Sequence, residues 1–146
     1  METSSDERYM QEALREARKA GEQGEIPIGA VVVCRGTIIA RAHNLNEALS
    51  DPTAHAEMQA ITMATHHLGG KYLTGCTLYV TMEPCPMCAA ALAWSQISRV
   101  VYGASDPKRG YSLFTPPLMH PRTQVTAGVL GETCGQLVSD FFKKIR

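Results

Sequence analysis

The sequence predicts an α/β fold with three layers in the order α/β/α and a five-stranded mixed sheet in the middle. Segments rich in β-branched residues alternate with segments of helical apolar spacing along the chain, which is typical of a sheet covered by helices. Two of the β-type segments meet at Arg35-Gly36, which predicts a hairpin. Helices precede and follow the third strand, which suits a mixed sheet, and a long connection joins the last two strands. The length of 146 residues suits one domain, so we expect residues 1–146 to form a single unit.

Four segments are predicted to be helices from their apolar spacing. The first follows Ser4 to Glu7, which has the pattern of a capping box, and the second has Asp51 or Thr53 as its cap. The apolar residues that define the helices are Tyr9, Met10, Ala13, Leu14, Ala17 and Ala20; Met58, Ile61 and Leu68 within 51–68; the alanine-rich run 86–96; and Cys134, Leu137, Val138, Phe141 and Ile145.

Five segments are predicted to be strands because β-branched or aromatic residues dominate them. The first two form the hairpin within "GAVVVCRGTIIARA", and the others are "CTLYVTM", "RVVYGA" and "QVTAGV". The connection before the last strand contains Pro107, Pro116, Pro117 and Pro121, so we expect residues 104–123 to be mostly loop.

Composition narrows the classes of function. The 14 basic residues (lysine and arginine) balance the 14 acidic residues (aspartate and glutamate). The chain therefore has no net positive charge that would attract nucleic acid, and such contacts need a local patch of basic residues. No apolar run reaches the length of about 20 residues that spans a membrane. The five cysteines are an odd number and two are closely spaced, which favours a reducing compartment over a disulfide framework, and we expect a cytoplasmic protein.

A pair of cysteines points to metal chemistry. Cys85 and Cys88 lie three residues apart where "EPCPMC" leaves a predicted strand and enters a helix, so both sulfurs can reach one point. Pro86 suits the first helical turn, and the positive end of a helix favours thiolates. Such a pair is half of a zinc site, but the spacing also describes a thioredoxin-like redox pair.

The stretch "DPTAHAEMQA" supplies the residues that complete a metal site. His55 also lies at a predicted helix start, and one imidazole with two thiolates leaves a fourth position open, as in catalytic zinc sites. Glu57 is a carboxylate that can move protons beside the metal without binding it. In a regular helix, positions i and i+2 point to different sides, so the two residues share a cavity only if the first turn meets the site end-on.

The order His-x-Glu…Pro-Cys-x-x-Cys is the signature of zinc nucleobase deaminases. Together with "IPIGAVVV", "AHN", "DPTAHAE", "TLYVTMEPCPMC", "RVVYGASDPK" and "SDFFKKIR", the chain from about residue 8 to its end resembles bacterial tRNA-specific adenosine deaminases. That family converts the wobble adenosine of an anticodon to inosine and has a cytidine-deaminase-like fold.

The resemblance implies a role for each site residue. It assigns one Zn²⁺ per chain to His55, Cys85 and Cys88, proton transfer to Glu57, base contact to Asn44 and anticodon-loop contact to Asp106. It also implies a homodimer that binds the tRNA anticodon loop, with substrate sites near the subunit interface. The pattern departs from the family after "DPK", where residues 109–121 form a shorter loop rich in aromatic residues and proline.

Several residues and the function itself have alternative interpretations. Asn44 can simply cap or turn the chain, and Trp94 and Met87 suit ordinary packing of a short helix. The same zinc site would serve a deaminase of a free base, guanine or cytosine. An RNA-binding protein with an idle zinc site is a third hypothesis, which the intact Glu57 disfavours.

Overall fold

The computed structural model describes residues 4–145 and contains one five-stranded sheet. The strands are β1 (Gly29–Cys34), β2 (Thr37–His43), β3 (Cys76–Met82), β4 (Arg99–Ala104) and β5 (Gln124–Thr126). The helices are α1 (Ser5–Glu22), α2 (Asn46–Leu49), α3 (Ala56–Leu68), α4 (Pro86–Ser95) and α5 (Gly131–Lys144).

The sheet has the order β2-β1-β3-β4-β5 and is mixed, as predicted. β1 pairs antiparallel with both β2 and β3, whereas β3, β4 and β5 run parallel. The β1–β2 turn has positive φ at Arg35 (52°) and Gly36 (75°), the geometry that joins strands in a tight hairpin. The helix α4 connects the parallel strands β3 and β4, so the carboxyl end of β3 leads directly into it.

Each face of the sheet packs against two helices, which gives the predicted three layers. Alternate residues of β1 point to opposite faces: Ala30 and Val32 pack with α3 and α4, and Val31 and Val33 pack with α1 and α5. Among the described residues, no helix is both long enough and apolar enough to cross a membrane.

The inner face of α3 differs from the prediction. Its buried apolar residues are Ala56, Ala60 and Ala64, spaced by four, whereas Leu68, one of the apolar residues by which the helix was predicted, is 43% exposed. Alanine at these positions lets the helix lie close to the sheet, because no long side chain separates the two backbones. The helix also begins later than predicted, at Ala56 and not near Asp51.

Other differences concern short elements and one side chain. The short helix α2 was not predicted, and β5 has three residues where six were expected. Trp94 is 83% exposed, so the prediction that it packs within its own chain was wrong. The predicted cap of α1 is confirmed, since the Ser4 hydroxyl accepts a hydrogen bond from the Glu7 N–H at 3.2 Å.

Candidate active site

The three predicted metal donors meet where two helices begin. His55 is the N-cap of α3 and Cys85 is the N-cap of α4, with Cys88 in the first turn of α4. The His55 Nδ1 atom lies 3.6 Å from Cys85 Sγ and 3.5 Å from Cys88 Sγ. All three donor atoms lie within 4.8 Å of one another, and within residues 4–145 they form the one group of three or more such side chains.

These distances test whether the cluster fits zinc. A tetrahedral ion with ordinary zinc bond lengths would hold an imidazole nitrogen and a thiolate sulfur about 3.6 Å apart. The two observed nitrogen–sulfur distances match that value, and the free state of both cysteines leaves their sulfurs available. The geometry therefore fits a three-ligand zinc site with one open position. A redox pair of cysteines does not need an imidazole nitrogen close to both sulfurs, so the position of His55 favours the metal site.

The electrostatics of the cluster favour a thiolate at Cys85. The Cys88 thiol, and after it the His55 imidazole, lower the pKa of Cys85 to about 4. The same contact with Cys85 raises the pKa of Cys88, and Cys85 raises that of His55. Both cysteines lie at the positive end of α4, where partial charges of the backbone N–H groups stabilise negative sulfur.

Glu57 lies beside the cluster and is buried, with 4% of its surface exposed. Burial raises its pKa to about 7. The backbone shows how His55 and Glu57 face one cavity: His55 is extended (φ −70°, ψ 156°) and lies outside the helical turn that carries Glu57. A carboxyl group that ionises near neutral pH is suited to accept and to donate a proton.

Asn44 connects the start of α3 to another loop. Its Oδ1 atom accepts a hydrogen bond from the Ala56 N–H at 2.8 Å, and its Nδ2 atom donates to the Ile26 carbonyl at 3.2 Å. His55 makes no cap hydrogen bond with its side chain, so Asn44 caps α3 from a distance in sequence. Asn44 therefore has the capping role given as its alternative interpretation, toward a helix start 12 residues along the chain.

Asp106 lies in the loop after β4 and organises its own turn. Its Oδ1 atom accepts from the backbone N–H groups of Lys108 and Arg109, each at 3.0 Å. Its own N–H donates to the carboxylate of Glu83 at 3.0 Å. Sequence reasoning missed Glu83, which is 5% exposed. The available signal was an acidic residue placed directly between a buried strand and the Pro-Cys motif.

Comparison with known proteins identifies the family of the chain. Residues 3–104 match the model of the cytidine and deoxycytidylate deaminase zinc-binding region. The tRNA-specific adenosine deaminase of Bacillus subtilis (strain 168) is 51% identical over 98% of this chain and 92% of its own length. The chain is a member of the tRNA-specific adenosine deaminase family. A second member, from Aquifex aeolicus, is 47% identical over 96% of this chain and 95% of its own.

Solved structures place this deaminase in the same fold. A structure from work on A-to-I editing by tRNA:A34 deaminases superposes with a TM-score of 0.84 and 45% identity, covering 89% of this chain and 98% of that one. Guanine deaminase from Bacillus subtilis superposes with a TM-score of 0.66 and 40% identity, covering 70% of this chain and 66% of that one. The cytidine-deaminase-like fold is confirmed.

Family membership also establishes the cofactor and the type of reaction. The matched model describes a zinc-binding region, and the described residues contain one cluster of side chains suited to zinc. The deaminase therefore takes one Zn²⁺ per chain and catalyses hydrolytic deamination. The redox interpretation of Cys85 and Cys88 is set aside, because a deaminase needs both sulfurs as metal donors.

Proposed function

We propose that this protein is a zinc-dependent hydrolase that converts adenosine to inosine at the wobble position of tRNA. The observation that carries the reaction is the buried Glu57 beside a three-donor cluster with zinc spacing. The choice of substrate is supported by tRNA-specific adenosine deaminases that are 51% and 47% identical over nearly the whole chain.

In this proposal His55, Cys85 and Cys88 hold the zinc ion. When bound, zinc supplies a water whose pKa is lowered to about 7, so that hydroxide is available at neutral pH. Glu57 accepts the proton released by the nucleophile and delivers it to N1 of the adenine. The deprotonated carboxylate then takes the proton of the hydroxyl group newly bonded to C6 and donates it to the amine at C6, so that the C–N bond breaks, ammonia leaves and C6 becomes the carbonyl of inosine. The burial of Glu57 suits this cycle, because burial raises the pKa of the carboxyl group above its usual value and so favours holding a proton.

Asn44 and Asp106 are the proposed contacts to the RNA. Asn44 has one N–H beyond those used within the chain, and that N–H is available to an acceptor on the flipped-out base. A base in a buried pocket needs its polar edge paired, because each unpaired group costs about 1–3 kcal/mol. Asp106 uses one carboxylate oxygen for its turn and presents the other to the anticodon loop.

Exposed basic residues support binding to RNA despite the zero net charge. Lys108 and Arg109 extend from the turn built by Asp106, and Lys143 and Lys144 end α5. Arg146, which continues this basic end in the sequence, lies outside the described residues. Because cations that neutralise phosphates release counterions, we expect affinity for tRNA to fall steeply as salt rises.

We also propose that the protein is a cytoplasmic homodimer in which residues 1–146 form one domain. A single sheet that includes every strand of the described chain supports one domain. Trp94, 83% exposed on the helix that carries Cys85 and Cys88, supports a subunit contact close to the site. A tRNA substrate supports the cytoplasm, where reduced cysteines such as those of the cluster persist.

The test is a panel of substrates given to the zinc-loaded protein. Bulk tRNA, adenosine, guanine and cytosine are incubated separately, and ammonia and the deaminated product are measured for each. We expect inosine in tRNA and little turnover of the small substrates. Glu57→Gln is the matched control, because it keeps the shape of the side chain, and we expect it to retain zinc and to lose turnover by at least a hundredfold, the usual contribution of general acid–base catalysis.

Deamination of a free base is the second candidate, and one observation favours it. Guanine deaminase from Bacillus subtilis is 40% identical over 70% of this chain. Conversion of guanine or cytosine faster than tRNA, with no effect of salt on the rate, would select that function. Binding of tRNA without deamination of any substrate in the panel would select the third hypothesis, an idle zinc site.

A further inference from the structure

A buried carboxylate outside the catalytic cluster holds the loop that borders it. Glu83 follows β3, is 5% exposed, and its own N–H donates to the Ala104 carbonyl at 2.8 Å, so its backbone extends the β3–β4 pairing. It makes no ion pair within residues 4–145. A buried acid of this kind needs hydrogen-bond donors to offset its loss of hydration.

Those donors all come from the segment 105–113, which we call the 105–113 loop. Glu83 Oε1 accepts from the Asp106 N–H at 3.0 Å, and Oε2 accepts from the Ser112 N–H at 3.0 Å and the Ser112 hydroxyl at 2.6 Å. The two oxygens therefore hold the two ends of the loop. Hydrogen bonds to a charged acceptor are the stronger class, which suits an anchor for an otherwise exposed segment.

The packing of Gly110 shows that the loop closes directly onto this carboxylate. Gly110 is buried, and a Cβ atom added there would overlap the carboxylate atoms of Glu83. The adjacent Tyr111 N–H donates to the Pro84 carbonyl at 2.9 Å. Since Pro84 immediately precedes Cys85, the loop is fixed next to the metal cluster from two sides.

The same loop carries the groups proposed to contact RNA. Asp106, whose N–H binds Glu83, uses its own carboxylate to bind the N–H groups of Lys108 and Arg109. A continuous chain of hydrogen bonds therefore runs from the end of β3, through Glu83 and Asp106, to two exposed cations. The position of those cations depends on the buried carboxylate, because the loop has no strand or long helix to hold it.

We propose that Glu83 is a positioning residue for substrate binding: it fixes the 105–113 loop so that Asp106, Lys108 and Arg109 meet the RNA beside the cluster. It takes no part in proton transfer, which belongs to Glu57. This inference rests on the proposed tRNA substrate. It assigns to Glu83 an effect on KM and on salt dependence, and not on the chemical step.

The test compares Glu83→Gln with the wild-type protein, both with measured zinc content. Glutamine keeps the shape but has one acceptor oxygen, so it cannot bind both ends of the loop. We expect KM for tRNA to rise about tenfold, the cost of one strong buried hydrogen bond, while the single-turnover rate at saturating tRNA stays within about threefold. The slope of log(kcat/KM) against log salt should become shallower by about 1.4, since two cations contribute about 0.7 each.

Two further variants keep the test independent of how well Glu83→Gln folds. Ser112→Ala removes the hydroxyl donor and Gly110→Ala pushes a methyl group into the carboxylate, and we expect both to raise KM and flatten the salt slope. Ser112→Thr retains a hydroxyl and should behave as wild type. Tyr79→Phe is the control for stability, because it removes the hydrogen bond from Tyr79 to Asp6 on the opposite face of the sheet.

The outcomes separate this inference from the function on which it rests. The role of Glu83 would be overturned if KM and the salt slope were unchanged in all three zinc-loaded variants, Glu83→Gln, Ser112→Ala and Gly110→Ala. In that case the activity of the wild-type protein on tRNA would still support the proposed function. A fall in the saturated single-turnover rate larger than the rise in KM would also overturn it, because it would place Glu83 in the chemistry. If the wild-type protein deaminates no tRNA, the proposed function is wrong and the inference falls with it.

Discussion

Replacing Asn44 with alanine tests whether this residue supports the site or only contacts the base. Asn44 is 3% exposed, and its side chain joins the Ala56 N–H to the Ile26 carbonyl. Alanine leaves the buried Ala56 N–H without a partner, at a cost of about 1–3 kcal/mol, and removes the bond to Ile26, worth about 0.5–1.5 kcal/mol. We therefore expect Asn44→Ala to lower the free energy of unfolding by about 1.5–4.5 kcal/mol.

Asn44→Ala should also lower the affinity for zinc. Ala56 follows His55 directly, so the N–H that Asn44 holds fixes the backbone from which the imidazole extends. Loss of a group that orients a metal ligand commonly lowers metal affinity by about 10–100-fold. We expect a decrease of at least tenfold for Asn44→Ala, measured by competition with a chelator.

The assay combines urea unfolding at fixed zinc content with that competition. Asn44→Asp is the matched variant: it keeps an acceptor for the Ala56 N–H and loses the donor to Ile26, so we expect a smaller stability loss and nearly unchanged zinc affinity. The reasoning is refuted if Asn44→Ala unfolds within about 0.5 kcal/mol of wild type and binds zinc equally well. A change in KM alone would then leave base contact as the only role of Asn44.

Three other predictions follow from the described contacts. Cys88→Ala should lose stoichiometric zinc by elemental analysis, whereas Cys34→Ala, which removes a cysteine outside the cluster, should keep it. The bidentate contact with Arg99 (2.7 and 2.8 Å) lowers the pKa of Asp6, so this pair stabilises the fold above about pH 3.8 and the stabilisation is lost as pH falls through the lowered pKa. Denaturation of Asp6→Asn should show a deficit at pH 7 that shrinks in acid, and a pH-independent deficit would contradict this. Trp94→Ser should shift the protein toward monomer in light scattering at micromolar concentration, and an unchanged mass would remove the support for a dimer contact there.

The sheet could be predicted because β-branched or aromatic residues dominate each of its strands in the sequence. The interior strand β1 is buried along nearly its whole length and contains three consecutive valines, and the hairpin turn is marked by Arg35-Gly36. The edge strand β5 was overestimated because "QVTAGV" continues the β pattern beyond the pairing. The chain leaves the sheet at Thr126, and Gly128 with φ 86° turns it toward α5.

Exposure and long-range contacts were harder to predict. Nothing in the alanine-rich run 86–96 says that Trp94 faces outward, because a helix with small residues on all sides has no clear apolar face. Glu83 was read only as part of "EPCPMC", and its partners Asp106 and Ser112 lie 23 and 29 residues away, beyond any local pattern. Contacts of that range follow from the parallel pairing of β3 and β4, which places their ends together.

The misplaced start of α3 has a chemical cause that also explains how the site is built. Helix starts are recognised by Ser, Thr, Asp or Asn at the N-cap, and here both N-caps at the cluster are predicted metal donors, His55 and Cys85. A side chain that binds a metal cannot also cap its helix, and neither makes a cap hydrogen bond. Asn44 caps α3 instead, while Pro86 at the start of α4 removes one N–H that would need a cap.

Two of the three predicted metal donors therefore occupy N-cap positions, which in most helices have only a structural role. The N-cap residue is extended and lies at the positive end of its helix, where the negative charge of the Cys85 thiolate is stabilised. His55 and Cys85 can therefore converge from two helices, and Glu57, in the first turn of α3, faces the same cavity. The cost is that the helix start depends on a distant residue, which is why Asn44 should affect stability, zinc affinity and substrate binding together, whereas Glu57→Gln should affect turnover alone.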